Sequence, residues 1–110
     1  MSKERGWGLT MIFSRTPKGY DISFTKTETE LRHCEWMKYW IRKEGSKYEV
    51  MDWDSGMLIQ KGFKTVAECK TYLEGVLPRL EAVMKTDHYR KQVDKANAYR
   101  RANDIEEVLL

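Results

Sequence analysis

The stretch that decides the fold runs from residue 36 to residue 63 and reads WMKYWIRKEGSKYEVMDWDSGMLIQKGF. Two clusters of turn residues punctuate it, Glu44-Gly45-Ser46-Lys47 and Asp54-Ser55-Gly56. Around them lie three runs rich in aromatic and β-branched residues: Trp36 to Arg42, Tyr48 to Trp53 and Met57 to Phe63. Turns about eleven residues apart between such runs predict an antiparallel meander. Within the first run, alternation sends Met37, Tyr39 and Ile41 to one face and Trp36, Lys38, Trp40 and Arg42 to the other. The first set makes a core face for a helix. The second interleaves tryptophan with cations.

Upstream, Trp7, Leu9, Met11 and Phe13 alternate with Gly8, Thr10 and Ile12, the period of a half-buried strand. Thr16-Pro17-Lys18-Gly19 follows as a turn, because proline presets one φ and glycine accepts a positive one. Tyr20, Ile22 and Phe24 then alternate with Asp21, Ser23 and Thr25, which completes a hairpin. Residues 27–33 are polar and show no clear period, so they read as a loop or one helical turn.

Downstream, Thr65-Val66-Ala67-Glu68 is a capping box. Behind it Val66, Cys69, Leu73, Val76, Leu77, Leu80 and Met84 recur at helical spacing. Pro78 is expected to kink or restart this helix, since it removes a donor and crowds the preceding turn. Thr86-Asp87 offers a second cap for a polar, basic helix over 87–102, whose apolar stripe of Tyr89, Val93, Ala96 and Tyr99 is thin. Every alanine lies at residue 67 or beyond, whereas ten of the thirteen aromatics fall within residues 1–63. Helix formers and strand formers are thus segregated. The expected fold is α+β: an antiparallel β-meander of about five strands packed on a C-terminal pair of helices. It forms a single domain over residues 1–110, β-rich to residue 64 and helical from residue 65. Trp7, Leu9, Phe13, Ile22, Phe24, Tyr39, Ile41, Val50, Ile59, Phe63, Val66, Leu73 and Leu77 are its expected core.

A chain of 110 residues has room for one core and not two. No apolar run approaches the roughly 18 residues that span a bilayer, and the charged start Ser2-Lys3-Glu4-Arg5 does not read as a secretory leader. Two cysteines, Cys34 and Cys69, outside any C-x-x-C pair fit reduced thiols in a cytoplasmic protein. Catalysis finds no support. His33 abuts Cys34, so on an extended chain the two side chains point apart and form no dyad. His88 stands alone, the cysteines and histidines lack zinc-ligand spacing, and Gly6-Trp7-Gly8 is followed by no lysine-serine pair. The expectation is therefore a non-enzyme without metal or cofactor.

Two binding surfaces remain. The run Tyr48-Glu49-Val50 … Gly62-Phe63-Lys64-Thr65-Val66-Ala67-Glu68-Cys69-Lys70, within residues 36–77, resembles the β-β-β-α arm-type DNA-binding domains of tyrosine recombinases and the plant ethylene-response factor domains. Gly62, Phe63, Thr65, Val66 and Glu68 match their Gly-Phe-x-Thr strand end and small-acidic helix start, with Cys69 at an alanine position. The resemblance implies a sheet that enters the DNA major groove through arginine and tryptophan. Trp36, Lys38, Trp40, Arg42 and Lys47 stand at those places here. The last helix adds Arg90, Lys91, Lys95 and Arg101; residues 85–101 hold six cations against Asp87 and Asp94. Both surfaces suit a nucleic-acid-binding module.

The alternative is a small protein-binding inhibitor of the kind phages and mobile elements encode, such as anti-CRISPR and anti-restriction proteins. On that reading the thin stripe of the last helix needs a second chain, either a copy of itself (a homodimer) or a protein target. Tyr89, Val93 and Tyr99 are then the anchors, with Leu109 and Leu110 adding apolar surface.

Overall fold

The computed structural model describes residues 4–105. It is α+β, with six strands followed by two helices. The strands are β1 (Arg5–Thr16), β2 (Gly19–Glu30), β3 (Arg32–Cys34), β4 (Met37–Glu44), β5 (Lys47–Asp52) and β6 (Leu58–Phe63). The helices are α1 (Val66–Met84) and α2 (Asp87–Ala102). The expected single meander of five strands is corrected to two antiparallel sheets: β1-β2 alone, and the ordered set β3-β4-β5-β6.

The difference originates in residues 27–33. All but Leu31 are strand, not loop or helical turn: Thr27, Thr29 and Glu30 continue the ladder opposite Gly8, Gly6 and Arg5, and Arg32 and His33 belong to β3. The hairpin strands therefore reach twelve residues each. At about 3.3 Å per residue such a strand spans about 40 Å, close to the 41 Å long axis of the molecule. Pro17 and Lys18 form its turn, and Gly19 takes a φ of 131° as β2 begins.

One face of the four-stranded sheet meets α1. Met37, Tyr39 and Val50 pack on Cys69, Leu73 and Leu77, as the alternation in 36–42 requires. Thr65 caps α1 by accepting from the Glu68 N–H at 3.1 Å, while the Glu68 carboxylate accepts from Lys64 N–H at 2.8 Å. Pro78 lies on the exposed side, and the helix runs through it without a restart.

The opposite sheet face meets the hairpin. Trp40, Leu31, Met51 and Trp53 form a second cluster there. Gly8 crosses directly over the Trp40 ring, where a Cβ would stand 2.6 Å from Cε2. Only glycine permits that approach. The other face of the hairpin carries Leu9 and Phe24, which pack against Ala96 of α2 with Tyr99 beside them. The hairpin is thus clamped between sheet and helix along its base. Phe13, expected in the core, is 62% exposed because it lies past the end of that clamp.

Candidate functional site

The tryptophan–cation face predicted on β4 is closed. Trp40 has no solvent exposure, sealed by the hairpin, so its ring is unavailable to a stacking base. Trp36 is not part of the strand: Glu35 adopts a φ of 53° and Cys34 pairs with Met37, so Trp36 sits in the tight turn and is 47% exposed. The cations on this face have partners. Arg42 donates to Glu49 Oε2 through Nε at 3.0 Å and Nη2 at 2.6 Å, and approaches Glu44 at 3.8 Å. Lys38 lies 3.2 Å from Asp54. Lys47 is exposed at the start of β5, opposite Glu44 in the ladder. The face of β4 that carries Lys38, Trp40 and Arg42 is a packed, charge-paired interface within the chain.

The inner side of α2 carries out work the sequence assigned to a second chain. Thr86 caps it by accepting from the Tyr89 N–H at 3.2 Å. Tyr89 then donates its hydroxyl to Asp52 Oδ2 at 2.7 Å. About three turns further along the same side, Arg100 donates to the carbonyls of Trp53 (2.5 Å) and Asp54 (3.1 Å). Tyr99 stacks obliquely on Phe24 with ring centroids 5.4 Å apart, and Val93 is half-buried. Tyr89 and Tyr99 are therefore anchors to the protein's own body. Leu109 and Leu110 lie outside the described residues.

Asp52 is the centre of this junction. Its carboxylate accepts from the Ser55 hydroxyl at 2.5 Å, the Ser55 N–H at 3.1 Å and Tyr89. Burial holds the Asp52 carboxyl above the usual carboxylate range despite these donors. Burial also pushes the Tyr89 hydroxyl far up, with the neighbouring Asp52 charge adding to the effect. An Asp–Ser–Tyr trio has the residue types of a nucleophilic site, but Ser55 has no exposure and no histidine joins it. Its effect is to lock the β5–β6 loop onto α2. Elsewhere His33 faces Glu4 at 3.2 Å on the surface, and burial raises both thiols, so Cys34 and Cys69 stay protonated near neutral pH. Among the described residues no group of three or more His, Cys, Asp or Glu comes together to hold a metal.

Two surfaces stay open. The outer side of α2 exposes Arg90, Lys91, Lys95 and Arg101, with Asp87 and Asp94 among them. The free end of the hairpin exposes Phe13 (62%), Tyr20 (66%) and Ile12. Below it, between β2 and α2, runs a groove of 570 Å³ lined in part by Tyr20, Ile22, Phe24, Lys95 and Tyr99. Periodicity could not have found this tip. It tells which face a side chain takes, not how far the covering helix extends.

Comparison with known protein families, with curated protein sequences and with solved structures found no match.

Proposed function

We propose that this chain is a non-enzymatic binding module whose partner is a protein, engaged through the projecting end of the β1–β2 hairpin. The observation that carries this reading is the exposure of Phe13 and Tyr20 on one face of the free end of the hairpin, with Ile12 exposed on the other. Scattered apolar residues are ordinary on a surface, but a cluster with two aromatics marks an interaction site. Aromatic anchors also carry much of the binding energy in protein interfaces. The base of the hairpin is clamped on both faces, so the tip is presented in advance and pays little ordering entropy on binding.

Nucleic acid is the second reading, supported by the exposed cations of α2 and no longer by the sheet face. A salt titration separates the two. Phosphate contacts make affinity fall steeply with salt, whereas an apolar contact does not. The direct test is capture from lysate by wild type and by Phe13→Ser, each with nuclease treatment. Capture of a protein that survives nuclease and disappears in the variant supports the hairpin reading. Capture abolished by nuclease, and unchanged by the variant, transfers the function to α2.

A further inference from the structure

The exposed tip leaves another feature of the hairpin unexplained: its outer edge. Among the described residues β2 pairs with β1 and with no other strand. The pair Thr16 and Gly19 closes a two-residue loop, so those residues bond to each other and the ladder alternates from there. Tyr20, Ile22, Phe24, Lys26 and Glu28 consequently aim their main-chain N–H and C=O groups away from β1. The partner strand confirms the phase. Met11, opposite Phe24, also points outward, and its N–H donates to Gly56 O at 2.9 Å.

Exposed edges of this length are normally blunted by proline, bulges, charged side chains or a covering element; β2 carries charges of both signs in Asp21, Lys26, Glu28 and Glu30. β2 has neither proline nor a bulge across its twelve residues. An extended backbone is what such an edge takes up.

We infer that the occupant is β2 of a second copy of this chain, running antiparallel about a two-fold axis at Ser23. The side chains choose the copy and its register. With the axis at Ser23, Ile22 opposes Phe24, Tyr20 opposes Lys26, and Lys18 meets Glu28, while Asp21 faces Thr25 on the other surface. Ile22 meets the margin of the buried Phe24, the Tyr20 ring meets Lys26, which also reaches Trp7, and Lys18 meets Glu28 beside Arg5. Moving the axis by one residue either way spoils the match. An axis at Phe24 sets Ile22 against Lys26 and Tyr20 against Glu28; an axis at Ile22 keeps apolar pairs, Ile22 with itself and Tyr20 with Phe24, but sets Lys18 of the turn against Lys26 and loses its contact with Glu28. Self-complementarity of one patch is the requirement of a two-fold dimer. The result is a four-stranded ribbon that covers the groove beside Tyr20 and Ile22 and leaves Ile12 and Phe13, on β1, open in both copies. This inference goes beyond the hairpin's role in binding another protein and does not depend on it.

The test is sedimentation of the full chain over a concentration series, with two substitutions at the exposed Ser23. The expected mass is twice 13.1 kDa at high concentration. Ser23→Lys places two ammonium groups at the axis and should shift the protein to monomer with unchanged melting. Ser23→Cys places two thiols on the closely spaced, non-hydrogen-bonded pair and should give an interchain disulfide on mild oxidation. Wild type and Thr25→Cys, treated alike, should give none. A monomer at every concentration overturns the proposal. So does a dimer that Ser23→Lys leaves intact and Ser23→Cys fails to link. Neither result would bear on the Phe13 capture experiment, which reads a different strand.

Discussion

Alternation puts Trp40 on the open face of β4 and Phe13 on the core face of β1, yet the first is sealed and the second is 62% exposed. The sheet that contains Trp40 is covered on both faces, by α1 and by the hairpin. Its cations are held by Glu49 and Asp54. The hairpin that contains Phe13 is longer than the elements that clamp it, so its base is core and its tip is surface. A strand pattern therefore reports a face, and the length of the neighbouring element decides whether that face is buried. In this molecule the aromatic surface that looked open is interior, and the one assigned to the core is the strongest candidate for contact.

The most severe way to break the comparison is to remove the element that makes the hairpin base a core. Deleting residues 86–110 strips Ala96 and Tyr99 from Leu9 and Phe24, and leaves the Asp52 carboxylate and two loop carbonyls without Tyr89 and Arg100. Each hydrogen bond so lost to water is worth about 0.5–1.5 kcal/mol net, up to about 3 where a charge is involved. The apolar surface of Leu9 and Phe24 is exposed besides, against a total stability of about 5–15 kcal/mol for an ordinary domain. The truncated chain is expected to lose its cooperative urea transition. A truncation that melted like the full chain would show α2 to be an appendage after all.

On the sealed side, Trp40→Ala is expected to cost about 3–5 kcal/mol by the usual scale for a large buried aromatic. Denaturant titration measures it. A loss below about 1 kcal/mol would mean that the hairpin does not cover this face. The meaning for function is direct: a Trp40 variant that loses binding does so by unfolding, and cannot be read as loss of a stacking platform.

Much of this architecture was legible beforehand because it rests on local chemistry. The Thr65 and Thr86 caps, the Pro17-Lys18 turn and the Met37-Tyr39-Ile41 core face each depend on a few adjacent residues. Residues 27–33 were not legible, since a two-stranded ribbon of alternating threonine and charge buries no regular face. Trp36 was misplaced because a turn at Glu35 requires a positive φ that glutamate does not advertise. Arg100 was missed for a related reason. A buried arginine that serves two backbone carbonyls looks in sequence like one more cation on a basic helix. Its partners, Trp53 and Asp54, lie 47 and 46 residues away.

A milder perturbation probes the junction without dismantling it. The Tyr89 hydroxyl is held far above its ordinary value of 10.0 by burial and by Asp52. Above pH 10 the unfolded chain releases this proton and the folded one keeps it. Its contribution is thus present below pH 10 and is lost as pH rises further. Melting temperature should fall more steeply above pH 10 in wild type than in Tyr89→Phe. Asp52 acts in the same direction at the acid end. Its folded carboxyl lies above the ordinary 3.8, so its contribution is greatest below that value and declines as pH rises toward neutrality. Parallel alkaline curves for wild type and Tyr89→Phe would show that the hydroxyl is not held by the Asp52 junction.

The smallest expected effect falls on the tip and is the sharpest test of the contrast. Phe13→Ser removes a large ring from water rather than from a core, so the transfer term that punishes Trp40→Ala is largely absent. Surface substitutions of this kind stay within about 0.5 kcal/mol, and serine is accommodated opposite Ile22 because the ladder is held by the backbone of the flanking pairs, Ile12 with Ser23 and Ser14 with Asp21. Melting should be unchanged. If the ring is an interface anchor, its removal from the complex should cost about 2 kcal/mol or more in affinity, roughly a thirtyfold weakening. A variant that binds as wild type would make Phe13 an incidental exposure. One that melts early would restore it to the core and erase the difference between the two regions.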